Sequence, residues 1–212
     1  MDGAMLQDRF SRGMGVAART LGMPHDLFRP KGAFRPLALE RRVLRLWAAF
    51  DLGDPGYRRP RGYERGLRGV FDADSTAVGD YLRGPSGVVL FIAMLPTMQR
   101  PLCLPTNDLV DVLRPSGPDN VGLNGYGGVR EPRLRSVLEG WPALVLTSGG
   151  GGSGGGLPDD GGQGGWSMLL PATPVGIHGS DLVRDRIGRR FLVRSAELTD
   201  LGWRLNVRLT GV

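Results

Sequence analysis

The last third of the chain leaves little freedom in how it can fold. Gly179 to Val212 reads GSDLVRDRIGRRFLVRSAELTDLGWRLNVRLTGV. From Trp203 onward apolar and polar residues alternate. Trp203, Leu205, Val207 and Leu209 fall on one side, and Arg204, Asn206, Arg208 and Thr210 on the other. A period of two is that of a half-buried β-strand. Arg190 to Ala196 reads as a second strand and Asp181 to Arg184 as a third, with Gly188 and Gly202 where the chain must turn. The sequence therefore predicts a small antiparallel meander at its end.

Composition pushes the rest of the chain the same way. Of 212 residues, 35 are Gly and 16 are Pro, which favours turns and short strands over long helices. The net charge is +6. Lys31 is the only lysine, so the basic side chains are arginines, whose forks suit bidentate pairing with carboxylates and phosphates. They are scattered along the sequence, with no polybasic tail. Cys103 is the only cysteine, which excludes an internal disulfide and a cysteine-rich metal site. Asp2 and Asp8 lie where a secretion signal would need an apolar core. The apolar run from Val88 to Pro96 is too short to cross a bilayer. The expectation is a soluble, non-membrane protein of a reducing cytoplasm.

Four regions follow one another. Residues 1–62 read as a helix and an extended arm. Leu6, Phe10, Met14, Ala17 and Leu21 form one apolar stripe, with Gly22 as C-cap and Pro24 as a stop. This helix lies either on its own domain or on a neighbour. Phe28 to Pro60 is pinned by Pro30, Pro36, Pro55 and Pro60, and only Val43 to Phe50 looks regular, as a strand or short helix. Residues 63–118 read as a first β unit, with strands at 69–73, 80–83, 88–95, 102–105 and 109–113. Val88 to Leu95 is apolar throughout, as a strand buried on both faces would be. A linker at 119–140 leads to a second β unit, 141–212, whose Gly-rich loop covers 149–165. The predicted fold is mainly β: one or two small antiparallel barrels or sandwiched sheets, with an N-terminal helix and long Pro/Gly-rich loops.

The two β units share a spacing. Asp80 stands seven residues before Gly87, and Asp181 seven before Gly188. Asp and Gly favour turns in any hairpin, and the expectation is two ordinary hairpins, with a duplicated one as the alternative.

The chemistry-bearing residues form no recognisable constellation. His178, Ser180 and Asp181 sit in one turn, whereas a catalytic triad is assembled from separate elements. A turn capped by Asp181 is expected there. Cys103, between Leu102 and Leu104, reads as a buried structural thiol. The glycine tract lacks the Lys of a phosphate loop, and Gly122 to Gly128 has no βαβ unit around it. Asp159 and Asp160 match no calcium loop. No catalytic residue, cofactor or metal site is expected.

One resemblance remains. The pattern Gly79-Asp80-Tyr81-Leu82, Gly87, Phe91-Ile92-Ala93, Leu102-Cys103, Thr106-Asn107, Val110, Arg114-Pro115 resembles structural proteins of tailed bacteriophages and prophages. Arg12-Gly13 to Arg19 and Phe28-Arg29-Pro30 are similar to the same group. Leu170-Pro171, Ile177, Gly179 to Asp181 and Gly188 to Val193 resemble its small β-barrel neck and tail proteins. The resemblance implies a non-enzymatic virion component of the tail, neck or baseplate, made in the host cytoplasm. Such a component would bind other virion proteins, form a symmetric homo-oligomer in the particle and have the opportunity to touch packaged DNA. The partner contacts expected on that reading are Leu6, Phe10, Met14 and Leu21 on the helix, Phe28 and Phe34 on the arm, and Gly151, Gly155 and Trp166 at the glycine loop. The alternatives are a basic nucleic-acid-binding module, a tail-associated enzyme with an unrecognised site and a cellular adaptor.

Overall fold

A computed structural model describes residues 3–52, 63–116, 133–147 and 165–211. The helix α1 spans Gly3–Leu21. Strands follow at β1 Met23–Phe28, β2 Arg42–Asp51, β3 Leu67–Val70, β4 Tyr81–Arg83, β5 Val89–Met94 and β6 Leu102–Pro105. A second set comprises β7 Asp108–Pro115, β8 Leu134–Thr147, β9 Trp166–Leu170, β10 Leu182–Asp185, β11 Arg190–Thr199 and β12 Gly202–Gly211. Each set closes into an antiparallel barrel. The first has strand order β1-β2-β3-β6-β5-β4 and the second β7-β8-β9-β12-β11-β10, read around the ring. Closure leaves no edge strand among the described residues. The predicted fold class is the observed one, in its two-barrel form.

The boundaries differ from expectation in three places. The region read as a helix and extended arm supplies two strands that complete the first barrel: β2 covers Val43 to Phe50, the stretch expected to be regular, and β1 precedes the arm unannounced. Met-Pro-His-Asp-Leu-Phe shows little alternation, and Pro24 hides the strand. Yet Leu27 points into the barrel core, while Asp26 faces outward and holds Arg42 and Arg45 at 2.9 and 3.1 Å. Residues 109–113, assigned to the first unit, belong to β7 and open the second barrel. Asn107 sets that change: its side chain receives Val145 N–H at 2.7 Å and donates to Val145 O at 2.8 Å, fixing the chain to β8. The expected linker lies largely outside the described residues, but its last seven positions, from Leu134, already belong to β8.

Strand alternation feeds two cores. Leu27, Leu46, Leu82, Leu90, Ile92 and Cys103 fill the first barrel. Phe28, Tyr81, Phe91, Ala93 and Leu104 point outward from it, yet are buried, because they pack into a continuous cluster with the second barrel. Of the apolar run Val88 to Leu95, Leu90 to Ala93 is buried on both faces, one inside a barrel and one between barrels, while Val88 at the turn is exposed. The Tyr81 ring lies edge-on to Trp141 at 6.3 Å, and its hydroxyl donates to Pro142 O at 2.9 Å. Trp141 Nε1 donates to Ala33 O at 2.7 Å.

The two barrels repeat one unit. β4–β5 and β10–β11 hold the same place in their rings, and their hydrogen bonds match in detail. Asp80 accepts Ala77 N–H and Asp181 accepts His178 N–H, both at 2.8 Å. Ile92 N–H donates to Asp80 O, and Val193 N–H to Asp181 O. Gly79 and Ser180 share a positive φ, as do Gly87 and Gly188. The two hairpins, expected to be ordinary ones, are alike beyond their turn-forming residues, since the same partners surround the same carboxylate in both.

The helix lies on its own barrel, against β2 and β3. Its buried side is set by Ser11 and Ala18, flanked by the half-buried Gln7, Phe10 and Met14. Gly22 N–H caps the end on Ala18 O, as expected. A Cβ on Gly22 would overlap the Ala48 carbonyl, so glycine is what lets the helix end pass this close to β2.

Candidate interaction surface

The buried titratable groups with mapped partners serve the fold. Arg29 grips Asp80 with Nε at 2.9 Å and Nη2 at 2.7 Å, and Arg114 grips Asp181 with both nitrogens at 2.8 Å. Each arginine also donates Nη2 to a loop carbonyl, Ser75 O in one barrel and Gly176 O in the other. Such forks are charge-assisted and geometrically specific. Burial works to raise the Asp181 pKa. The Arg114 hydrogen bonds, the His178 N–H and the attraction of Arg114 outweigh it and hold the carboxyl below its ordinary value. Asp185 accepts the Ile187 and Arg189 amides and pairs with the Arg189 guanidinium, which also covers the Trp166 and Phe191 rings. Burial pushes the Cys103 thiol well above the usual cysteine range. His178 and Asp181 meet through the backbone, in the capped turn that the sequence predicts. Among the described residues no group of His, Cys, Asp and Glu is placed to hold a metal ion.

What the surface offers instead is a shallow depression in which two exposed apolar side chains stand among charged ones. Leu109 on β7 and Ile187 in the β10–β11 turn line a shallow depression of about 710 Å³. Their exposures are 43% and 67%. Around them stand the ion pairs Arg184–Asp111 at 2.8 Å, Arg186–Asp108 at 3.6 Å and Arg35–Glu139 at 3.8 Å. Asp111 is fixed further by Gly140 N–H, which donates to it at 2.8 Å. Gly140 has φ +68°, a conformation that favours glycine, and it aims its amide at this carboxylate. Phe34, 49% exposed, forms a parallel bridge with Glu139 and so stands at the rim. Exposed apolar groups ringed by polar ones are the anatomy of a protein-binding patch.

The expected contacts separate into groups. Phe34 is at this surface. Phe28 is fully buried between the barrels, so it is corrected from partner contact to core residue. Trp166 is half-buried and packs edge-on to Phe191 at 5.5 Å, which makes it part of the second barrel's core lining. Phe10 and Met14 line the groove between α1 and the first barrel, while Leu6 and Leu21 stay exposed at the helix ends. Gly151 and Gly155 lie outside the described residues. Sequence reasoning missed Leu109 and Ile187. Leu109 alternates with the inward Val110 and Val112, a signal that was present. Ile187 sits in a turn, where one apolar residue gives no pattern. No protein-family model, curated protein or solved structure matches the chain.

Proposed function

We propose that the chain works by binding, as a structural component of a tailed-phage particle that joins neighbouring virion proteins in the tail, neck or baseplate. The observation that carries this reading is the Leu109–Ile187 depression with its three bordering ion pairs. It is borne on a stiff support, because the barrels share one buried cluster and each closes its ring with an Arg–Asp fork. A stiff body with a patch of exposed apolar groups among paired charges suits a part that must hold geometry between neighbours. The phage assignment itself rests on the sequence resemblance.

Quantitative peptide mass spectrometry on density-purified particles from the source culture tests it. Recovery at a fixed small ratio to the major capsid protein is the expected result. Absence from intact particles would overturn the reading.

A further inference from the structure

The repeated barrel shows one face used in two ways. On the first barrel the outward side of β4–β5 carries Tyr81, Phe91 and Ala93 and is buried against the second barrel. The matching side of β10–β11, together with β12, carries Leu182, Leu192, Arg194 and their neighbours and faces outward. Alternation decides which residues these are. Phe191, Val193, Leu205 and Val207 point into the barrel core, so Arg190, Leu192 and Arg194 on β11 and Arg204, Asn206, Arg208 and Thr210 on β12 point out.

The register arranges the arginines in order. Glu197 faces Arg204, Ser195 faces Asn206, Leu192 faces Arg208, and Arg190 lies beside Thr210 at the strand end. The register shift between Val193 and Ser195 inserts Arg194 beside the Ser195–Asn206 pair. Each successive rung therefore carries one arginine: Arg204, Arg194, Arg208, Arg190. Rungs on one face repeat every two residues, about 6.8 Å. Glu197 is the one acidic residue among these outward positions. Arg190, Arg194 and Arg204 make no ion pair among the described residues, whereas Arg29, Arg114, Arg184 and Arg189 on the same barrels each hold an aspartate. Ser195 and Asn206, joined at 2.8 Å, add neutral polar groups between the charges.

We propose that this β11–β12 face binds the phosphate backbone of duplex DNA without sequence preference. A row of arginines against a single glutamate fits a polyanion. A protein partner would call for buried aromatic or aliphatic anchors, and on this face Leu182 and Leu192 are already half-buried. A single strand would call for exposed aromatic rings on which bases stack, and the outward positions of β11 and β12 hold none. The inference stands on the face alone and does not depend on where the chain is assembled.

Fluorescence anisotropy of a short labelled duplex with the full chain tests it. Binding should weaken steeply with salt, with a log–log slope of roughly −0.9 per phosphate neutralised. The variant Arg190→Gln/Arg194→Gln/Arg204→Gln/Arg208→Gln should bind at least about tenfold more weakly at low salt and flatten the slope by up to about 3.6, about 0.9 for each arginine removed. Arg9→Gln/Arg12→Gln/Arg19→Gln on α1 should bind as the parent does, which separates this face from general charge. Circular dichroism checks the fold. Should the fourfold variant fail to fold, Arg194→Glu alone, at the bulge, should still weaken binding severalfold. No binding at low salt, loss equal to that of the α1 variant, or tighter binding to a single strand than to the duplex would each overturn the proposal.

Discussion

Asp181 is 2% exposed and accepts from Arg114 and from the His178 amide. Arg114→Met leaves that carboxylate buried with half its partners, and breaking such a pair from one side costs roughly 3 kcal/mol. Asp181→Asn removes the charge that needs pairing and leaves the partly exposed Arg114 with water as an alternative. It should therefore be the milder change, and urea unfolding of the two variants checks the order. The same site gives an acid response. Its folded pKa is depressed, so its stabilisation is present above the unfolded carboxylate value of about 3.9. That stabilisation is lost as pH falls through the folded value. Melting temperature should drop on acidification in that range, and Asp181→Asn should flatten the drop. Cys103 offers a second readout. Its thiol is buried in the first barrel and its ionisation is pushed far up, so an alkylating reagent at mildly alkaline pH should modify it only after unfolding. Fast labelling of the native chain would contradict that burial. Both roles were legible in part: the apolar neighbours of Cys103 announced its burial, and the turn around Asp181 announced a cap. Arg114 as its partner was hidden, since the two lie on different strands brought together only by barrel closure.

The helix α1 shows how far a periodic pattern carries. Its span and its Gly22 cap follow from the sequence. Its buried stripe is rotated from the expected one, because Ser11 and Ala18 are small enough to let the helix approach β2 and β3 while Leu6 and Leu21 overhang the barrel. Hydrophobicity alone ranks Leu above Ser and so misplaces the contact. Two glycines give a test. A Cβ on Gly13 meets nothing within 4 Å, whereas one on Gly15 comes 3.0 Å from the Asp72 Cβ. Gly13→Ala should therefore yield the full propensity gain, about 0.8–1 kcal/mol, and raise the melting temperature. Gly15→Ala should gain less, because Asp72 must give way. Equal gains at both positions would mean that the helix does not rest on the barrel at Asp72. Among the strands, β12 and β5 were readable from alternation and from an unbroken apolar run. β1 was not, since half of its six residues are Pro, His and Asp, types that strands seldom favour, and pairing with β2 and β4 decides its state.

At the scale of the whole molecule, the repeat was written in the sequence as the Asp-to-Gly spacing, but two turn-forming residues carry too little information to separate a repeat from chance. The barrel order and the shared hydrogen bonds supply the rest. The same holds for the basic face: arginines scattered along β11 and β12 form a row only once the register and its bulge are fixed. The junction between barrels has a further consequence. Phe28, Tyr81, Phe91, Ala93 and Leu104 of the first barrel would meet water if the second one melted, so the two should unfold as one unit. Tyr81→Phe probes this coupling with little change of shape. It removes the donor to Pro142 O at a buried site, and an acceptor left without a partner costs about 1–3 kcal/mol. Three of the four tryptophans, Trp141, Trp166 and Trp203, report on the second barrel, while Cys103 reports on the first. On heating, tryptophan fluorescence and Cys103 labelling should change at one temperature in the parent. In Tyr81→Phe both should shift downward together. A fluorescence transition that moves while Cys103 protection stays where it was would show that the barrels melt separately and that the shared cluster does not couple them.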